Sequence, residues 1–228
     1  MRPERPPYLH ERLNRGLLTL STGVLLNGGY EDGYRNCSCF WGRSAGSLVR
    51  QFLSEIGTAA GLNVLDLGCG EGKNAYALAS AGANVVAVDC SQSALANGQR
   101  EFAHVGIQWV LADAETFVRR SGQFDLVVMY GLLHCLPSLD VIETVVGRAL
   151  EKTRPNGRHF VVAFNDGPHD LSAHPAFHPT LGAHTFYLNL YADHRILVEC
   201  NEVIHETHPH NGIPHFHSLT RLVAEKHS

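Results

Sequence analysis

Three aspartates follow apolar stretches of the chain, at positions where their carboxylates could hold a ligand. Asp66 lies within VLDLGCGEG and is followed by Gly68 and Gly70. Asp89 ends NVVAVD, and Asp113 ends IQWVLAD. Glycine is kept where the backbone must turn sharply or approach another group closely, and a carboxylate accepts hydrogen bonds from ligand hydroxyls. Together these residues predict a ligand site rather than only a tight turn.

The elements around the glycines would expose backbone donors. The segment 64–67 predicts a buried strand, and the glycines end it. From Lys73 on, KNAYALASAGA has the apolar spacing of a helix that Gly82 would stop. A strand, a glycine turn and a helix in this order place free backbone N–H groups at a helix N-terminus, where a ligand can be held.

The rest of the chain alternates predicted strands with predicted helices. Strands are predicted at 63–67, 84–89, 107–113, 124–130 and 159–165, with helical patterns at 73–81, 92–102, about 114–120 and 139–153. Two later segments, 195–206 and 217–226, predict an antiparallel hairpin. We therefore predict an α/β fold: a doubly wound, mostly parallel, seven-stranded sheet with a C-terminal antiparallel hairpin.

Composition excludes several classes of protein. The 228 residues carry a formal net charge of −4 and no basic run, which argues against a nucleic-acid partner. No stretch approaches the roughly 18 apolar residues of a membrane span, so we expect no membrane partner. The charged, proline-containing N-terminus is unlike a signal peptide. A cytoplasmic location is therefore expected, with the six cysteines reduced.

The glycine pattern bears on the class of ligand. A nicotinamide fingerprint, G-x-G-x-x-G/A, would need a small residue where this chain has Lys73. The pattern present is G-x-G-x-G, and Asp89 follows at the spacing of a ribose-binding carboxylate. A nicotinamide oxidoreductase is therefore disfavoured.

The segment LDLGCGEGKNAYALASAGANVVAVDCS resembles the class I S-adenosylmethionine-dependent methyltransferases, especially the branch of tellurite-resistance and related small-molecule methyltransferases. The resemblance extends from YEDGYRNCSCFWGR through FDLVVMYGLLHCLP and RPNGRHFVV to the C-terminal hairpin. It implies a Rossmann-like fold, S-adenosyl-L-methionine as cofactor, and direct in-line methyl transfer to a small-molecule O, N, S or metalloid acceptor.

The same resemblance implies roles for individual residues. The methionine part of the cofactor would lie over the glycine turn, Asp89 would accept both ribose hydroxyls, and Asp113 would meet the adenine. Asp113 could equally be a helix N-cap, and Cys69 could be a packing residue. The implied cofactor-binding set is Trp41, Asp66, Gly68, Cys69, Gly70, Asn74, Asp89, Cys90, Asp113, Ala114 and Tyr130.

Histidine is the unusual feature of the composition. Fifteen are present, and most lie after residue 168. If the strand at 195–206 runs parallel to the main strands, two histidine-rich loops meet at the mouth of the site. Three explanations stay open: ordinary half-polar residues, a catalytic base, or a metal held by the His-x-His pairs. The metal is possible but not favoured. The candidate catalytic residues are His134, His169, His208, His210, His215 and His217.

These observations predict one methyltransferase domain over residues 1–228, with 1–45 as a lid and 46–228 as the core. Tyr30, Tyr34 and Trp41 would let the lid cover an apolar cofactor face. A small-molecule acceptor and a monomer or homodimer are expected. The alternative is a non-catalytic, histidine-rich metal-binding protein on a cofactor-binding fold.

Overall fold

The computed structural model describes residues 30–120, 122–208 and 210–227, and the backbone of Leu18–Thr19. Of the predicted lid, 1–45, the structure describes residues 30–45 and the backbone of Leu18–Thr19, and the other positions lie outside the described residues. Leu18–Thr19 is a short strand, β1, which pairs in parallel with residues 110 and 111.

The described strands form one mostly parallel sheet. After β1 come β2 (Asn63–Leu67), β3 (Asn84–Asp89), β4 (Ile107–Leu111), β5 (Phe124–Tyr130), β6 (Thr153–His169), β7 (Arg195–Glu206) and β8 (His215–Glu225). Their order across the sheet is β1-β4-β3-β2-β5-β6-β8-β7. Strands β1 to β6 pair in parallel, whereas β8 is antiparallel to both β6 and β7. The predicted fold class is confirmed, with β1 as an added edge strand.

Helices cover the sheet on both faces. They are α1 (Glu31–Asn36), α2 (Ser47–Ile56), α3 (Lys73–Ser80), α4 (Gln92–Glu101), α5 (Ala114–Val118), α6 (Leu139–Glu151) and α7 (His184–Asn189), with a short 3-10 helix at Leu133–Cys135. The sequence patterns missed α1 and α7, because six residues are too few for a helical period to stand out. Among the described helices, none combines the length and apolarity that crossing a bilayer requires.

Alternate residues of the central strands pack into two separate cores. Val64 and Leu126 lie in the core on one face of the sheet, and their neighbours Leu65 and Val127 lie in the core on the other. Successive side chains of a strand point to opposite faces, so burial of both explains why these strands are continuously apolar.

The sheet order fixes where a ligand can bind. The connection after β2 leads to β3 on one side, whereas the connection after the neighbouring strand β5 leads to β6 on the other side. In open α/β sheets this reversal opens a crevice beyond the carboxyl ends of the strands. Strand β7 runs in the same direction as β6, because both are antiparallel to β8. The turn after β7 therefore lies at that same edge, as the sequence predicted.

Candidate active site

The glycine turn after β2 is held against β3. The φ angles of Gly68, Gly70 and Gly72 are +70°, +55° and +83°, in the left-handed region that favours glycine. The N–H groups of Gly68 and Cys69 both donate to the carbonyl of Val88, at 2.8 and 2.9 Å. The left-handed backbone of the turn is therefore one reason why these positions are glycine.

Close packing is a second reason why these positions are glycine. A Cβ at Gly70 would lie 2.9 Å from the hydroxyl of Tyr34, and a Cβ at Gly72 would lie 2.4 Å from the Trp109 ring. A larger residue at Gly70 would therefore disturb the turn as well as any ligand contact. Loss of binding in a Gly70 variant would not separate the two roles.

Asp89 presents its carboxylate to the crevice at the end of β3. Its Oδ2 accepts the Gly70 N–H at 2.7 Å, and its Oδ1 accepts the Ser91 N–H at 2.8 Å. Burial raises the pKa of Asp89, and these backbone hydrogen bonds oppose the rise. Each carboxylate oxygen keeps acceptor capacity after one hydrogen bond, so the group can still take two ligand hydroxyls.

The crevice is a cavity of about 510 Å³. Many of the predicted residues line it: Trp41, Gly68, Cys69, Gly70, Asn74, Asp89, Cys90, Asp113, Ala114, Tyr130, His134 and His208. Asp66, His169, His210, His215 and His217 do not line it, although the sequence placed them in the site.

Asp66 departs most clearly from the role expected of it. The residue is only 1% exposed and is absent from the cavity wall, so it does not contact the ligand space. Burial raises its pKa to about 7, while a hydrogen bond from the Ala75 backbone opposes that rise. Asp66 is thus a positioning residue that ties the start of α3 to β2.

Asp113 has the first of the two roles that the sequence left open, and its position is compatible with the second. Its Oδ1 accepts the Thr116 N–H at 2.8 Å, so it is the N-cap of α5. It also lines the cavity beside Cys90 and Ala114.

Residues 30–45, which we call the cap segment, fold over the cavity. The carboxylate of Glu71, in the glycine turn, accepts the backbone N–H groups of Cys39 and Phe40 at 2.8 and 2.6 Å. The Trp41 indole donates to the Tyr34 hydroxyl at 2.8 Å. These contacts place Tyr34 and Trp41 on the cavity wall, as a lid requires.

Lys73, which stands where a nicotinamide fingerprint would have a small residue, contacts the cap segment. Its Nζ donates to the carbonyl of Trp41 at 2.8 Å, so the first residue of α3 also holds the cap segment. Burial lowers the pKa of Lys73.

Asn74 and Tyr130 hold the start of α2 at the cavity. The Oδ1 of Asn74 accepts the Gly46 N–H at 2.8 Å. The Tyr130 hydroxyl accepts from the Ser47 N–H at 3.3 Å and from the Arg221 guanidinium at 3.2 Å. Arg221, on β8, lines the cavity too, and nothing in its local sequence indicated this.

His134 cannot be a general base in its observed setting. Its Nδ1 accepts the Phe164 N–H at 3.1 Å, so the neutral ring carries its hydrogen on Nε2 and acts as a donor. The ring stacks on Phe164 with centroids 4.0 Å apart. Burial lowers the pKa of His134 to about 3.

Register brings histidines together where β7 and β8 meet. Glu206 pairs with His215 across the two strands, and His217 lies two residues further along the same face of β8. His208 follows β7, and His174 comes from the loop after β6. We call His174, Glu206, His208, His215 and His217 the histidine cluster; its members His174, Glu206 and His208 line the cavity.

The remaining two predicted histidines lie beside this cluster. His169 pairs with His217 across β6 and β8, and their Nδ1 atoms are 3.3 Å apart. His210 stacks on Phe40 of the cap segment, with centroids 3.8 Å apart. Neither reaches the cavity.

The sequence patterns did not single out Glu206, nor His174 within the histidine-rich loops at the mouth of the site. The missed signal was a period of two: Glu206, His208 and His210 alternate along the end of β7 and the turn after it. Such alternation places side chains on one face of an extended chain.

Known proteins that resemble this chain are methyltransferases. The methyltransferase-domain family profile matches residues 64–157. The ubiquinone biosynthesis O-methyltransferase of Aromatoleum aromaticum is 35% identical over 109 residues, 46% of this chain and 45% of that protein. The ribosomal RNA small subunit methyltransferase C of Chromohalobacter salexigens is 31% identical over 162 residues, 69% of this chain and 45% of that protein. The chain thus spans less than half the length of either relative.

Solved structures share the fold. TehB from Haemophilus influenzae superposes with a TM-score of 0.66 at 22% identity, covering 80% of this chain and 62% of that one. Magnesium protoporphyrin IX methyltransferase from Synechocystis, with bound S-adenosylmethionine, gives a TM-score of 0.59 at 18% identity, covering 87% and 80%. The profile therefore identifies residues 64–157 as a methyltransferase domain, and the chain shares the fold of these solved methyltransferases.

Proposed function

We propose that the protein transfers a methyl group from S-adenosylmethionine to an oxygen, nitrogen or sulfur atom of a small molecule. The observation that carries this proposal is the Asp89 carboxylate, which faces a cavity of about 510 Å³ from the end of β3. The cap segment covers that cavity with Tyr34 and Trp41.

The residues present fit the cofactor. Asp89 would accept the ribose hydroxyls, the backbone at Gly68 and Gly70 would pass under the methionine part, and Asp113 with Ala114 would meet the adenine. When bound, S-adenosylmethionine supplies an activated methyl group on a positively charged sulfur. A methyl group so activated needs no covalent intermediate with the protein.

The chain's own contribution would be positioning and exclusion of water. The cap segment closes one side of the cavity, and the His134 ring offers its Nε2–H as a donor. His174, Glu206 and His208 face the same space. A neutral hydroxyl or amine acceptor must lose a proton, and we assign these three side chains to orient it in the cavity. A thiolate has no such proton to lose.

Several observations support a small acceptor. The net charge of −4 is a poor match for nucleic acid, and Tyr34 and Trp41 of the cap segment form one wall of the cavity. One relative is named for ubiquinone biosynthesis and another for ribosomal RNA. Those names make phenolic acceptors worth testing and RNA the appropriate contrast.

The test is a screen of acceptors with detection of S-adenosylhomocysteine. Purified protein is incubated with S-adenosylmethionine and a panel of phenols, hydroquinones, amines, thiols and metalloid oxyanions, with a structured RNA as the contrast. We expect turnover with at least one small-molecule class and loss of that turnover in Asp89→Ala. Turnover with RNA alone would overturn the small-molecule assignment. Failure of the folded protein to bind S-adenosylmethionine would overturn the proposal as a whole.

Three further expectations stay predictions: the cytoplasmic location, the monomeric or homodimeric state, and the organisation of residues 1–228 as one domain with a lid.

A further inference from the structure

The histidine cluster has a geometry that methyl transfer alone does not require. Among the described residues, two overlapping groups bring potential metal-ligand atoms within 4.8 Å of one another: His174, His215 and His217, and Glu206, His208 and His215. His215 belongs to both groups. The four imidazoles are buried, and Glu206 is half-buried.

The separations between His215 and two of its neighbours match ligands that share one ion. The Nε2 atom of His215 lies 3.3 Å from Nε2 of His174 and 3.1 Å from Nε2 of His208. The Oε1 atom of Glu206 lies 3.8 Å from Nε2 of His208 and 3.8 Å from Nε2 of His217. Ligands about 2.0–2.1 Å from a tetrahedral zinc ion lie about 3.3 Å apart.

Hydrogen bonds outside the cluster fix which ring nitrogen carries a lone pair. The Nδ1 of His215 lies 2.7 Å from the Ile213 carbonyl, which can only accept. The Nδ1 of His215 therefore carries the hydrogen, and its Nε2 presents a lone pair to the cluster. A carbonyl that orients a histidine in this way is the usual second partner of a metal-binding imidazole.

A longer chain of contacts fixes His217. The Nε2 of His169 lies 2.7 Å from the Asn165 carbonyl, so in the neutral ring its Nδ1 is an acceptor. The Nδ1 of His217, 3.3 Å away, must then donate, which leaves its Nε2 as a lone pair. Among the described residues, none offers that Nε2 a hydrogen bond, although the side chain is 0% exposed.

Hydrogen bonding within the cluster does not account for this arrangement. Either His174 or His208 could donate to the single lone pair on Nε2 of His215. That would still leave the lone pair of His217 facing a carboxylate oxygen of Glu206, with two acceptors and no donor between them. A buried acceptor without a partner is costly, whereas a cation would satisfy both atoms at once.

The donor set indicates the class of ion. Imidazole nitrogens with one carboxylate suit zinc and neighbouring divalent transition metals, whereas magnesium and calcium take oxygen ligands. The neutral imidazoles bring no charge, and Glu206 supplies a negative one. The positive charges of Lys73 and Arg221 also attract the Glu206 carboxylate. Lys73, however, donates its hydrogen bond to the Trp41 carbonyl.

We propose that the histidine cluster binds one divalent transition-metal ion of the zinc class, with His215 as the shared ligand and the other ligands drawn from His174, Glu206, His208 and His217. Because His174, Glu206 and His208 line the cavity, the ion faces the space of the methyl acceptor. The idea that the ion holds the methyl acceptor rests on the proposed function. The binding of the ion itself does not depend on that function.

Metal binding can be measured without any methyl transfer. Protein with no affinity tag is stripped with a chelator and dialysed, and Zn²⁺ is titrated by calorimetry with no S-adenosylmethionine or acceptor present. Co²⁺ serves as a second probe, because its visible absorption reports the number and type of ligands. We expect one ion per chain, nitrogen-rich coordination of Co²⁺, and a higher melting temperature with Zn²⁺.

Variants identify the ligands. His215→Gln and His208→Gln should abolish stoichiometric binding; the second lies on a turn and keeps the test open if the first fails to fold. His169→Phe removes the partner that orients His217 and should weaken binding about 10- to 100-fold. His205→Ala is the matched control, since this exposed histidine precedes Glu206 and points to the opposite face of β7.

The proposal fails if the folded wild-type protein binds neither Zn²⁺ nor Co²⁺ at one ion per chain. It also fails if His205→Ala reduces binding as much as His208→Gln does. A protein that binds zinc but methylates nothing would keep this site and overturn the proposed function instead.

Discussion

The Oδ2 atom of Asp89 accepts the backbone N–H of Gly70 at 2.7 Å, so the end of β3 and the glycine turn after β2 hold each other in place. The other oxygen is held by the Ser91 N–H at 2.8 Å. The carboxylate is therefore oriented before any ligand arrives, and little conformational freedom is lost when it accepts ligand hydroxyls.

Asp89→Ala should weaken S-adenosylmethionine binding by about 1.5–3 kcal/mol, or about 10- to 150-fold, because hydrogen bonds to a charged group are lost. Calorimetry at constant salt measures the change. Asp140→Asn, an exposed aspartate on α6, is the control and should bind as wild type does. Unchanged affinity in Asp89→Ala would show that the ribose does not lie here.

Glu71→Gln should loosen the cap segment. The glutamate accepts the backbone N–H groups of both Cys39 and Phe40, and an amide can replace only one of those acceptor oxygens. Limited proteolysis should cut within 30–45 faster in this variant than in wild type, and S-adenosylhomocysteine should slow the cut in wild type. Glu143→Gln, on the exposed side of α6, is the matched control. Equal cleavage in all samples would argue against a lid.

His134→Gln should lower turnover without moving the pH profile. The ring donates from Nε2 rather than accepting a proton, and its pKa of about 3 lies far below the working range. The measurement is kcat/KM as a function of pH for both proteins. If a titration step near neutral pH disappears in the variant, His134 is a base after all.

His159 should make the protein sensitive to acid. The ring is buried between the Thr153 hydroxyl at 2.7 Å and the Tyr191 hydroxyl at 2.9 Å, and burial lowers its pKa from 6.5 to about 3. Above pH 6.5 the ring is neutral in both folded and unfolded states. Below it the unfolded chain takes up a proton that the folded protein refuses, so stability falls by about 1.4 kcal/mol per pH unit.

Urea unfolding at about pH 7.5 and about pH 5 tests this effect. Wild type should lose about 2 kcal/mol more than His159→Gln between about pH 6.5 and about pH 5, because glutamine does not titrate. Identical pH dependence in the two proteins would contradict the assignment.

Two glycines should respond to alanine in opposite directions. At Gly72 the backbone is left-handed and a Cβ would lie 2.4 Å from Trp109, so Gly72→Ala should destabilise by at least about 1–3 kcal/mol. Gly147 lies within α6 with nothing within 4 Å of a Cβ, so Gly147→Ala should stabilise by about 0.5–1 kcal/mol. Thermal unfolding measures both, and a destabilised Gly147→Ala would argue against the helix.

The local sequence was enough to predict the parallel strands and the position of the crevice. Five mostly apolar runs predicted five parallel strands, because a strand buried on both faces favours apolar residues at most positions. The glycines and Asp89 marked the crevice, because left-handed turns and a carboxylate at a strand end are visible within a few residues. Asp113 was recognised as both a possible N-cap and a possible ligand-binding residue; it is the N-cap of α5, and its place on the cavity wall keeps the second role a prediction.

Only the tertiary structure showed which side chains of distant segments meet around the crevice. Asp66 stands in the same motif as Gly68, yet it lies behind the turn because its carboxylate is held toward the start of α3. Glu206 meets His215 only through the register of β7 and β8, and His174 arrives from a loop more than 30 residues earlier in the chain. Short-range patterns specify strands and turns, because those depend on neighbouring residues. Which side chains meet depends on register and chain direction, which contacts between distant segments set.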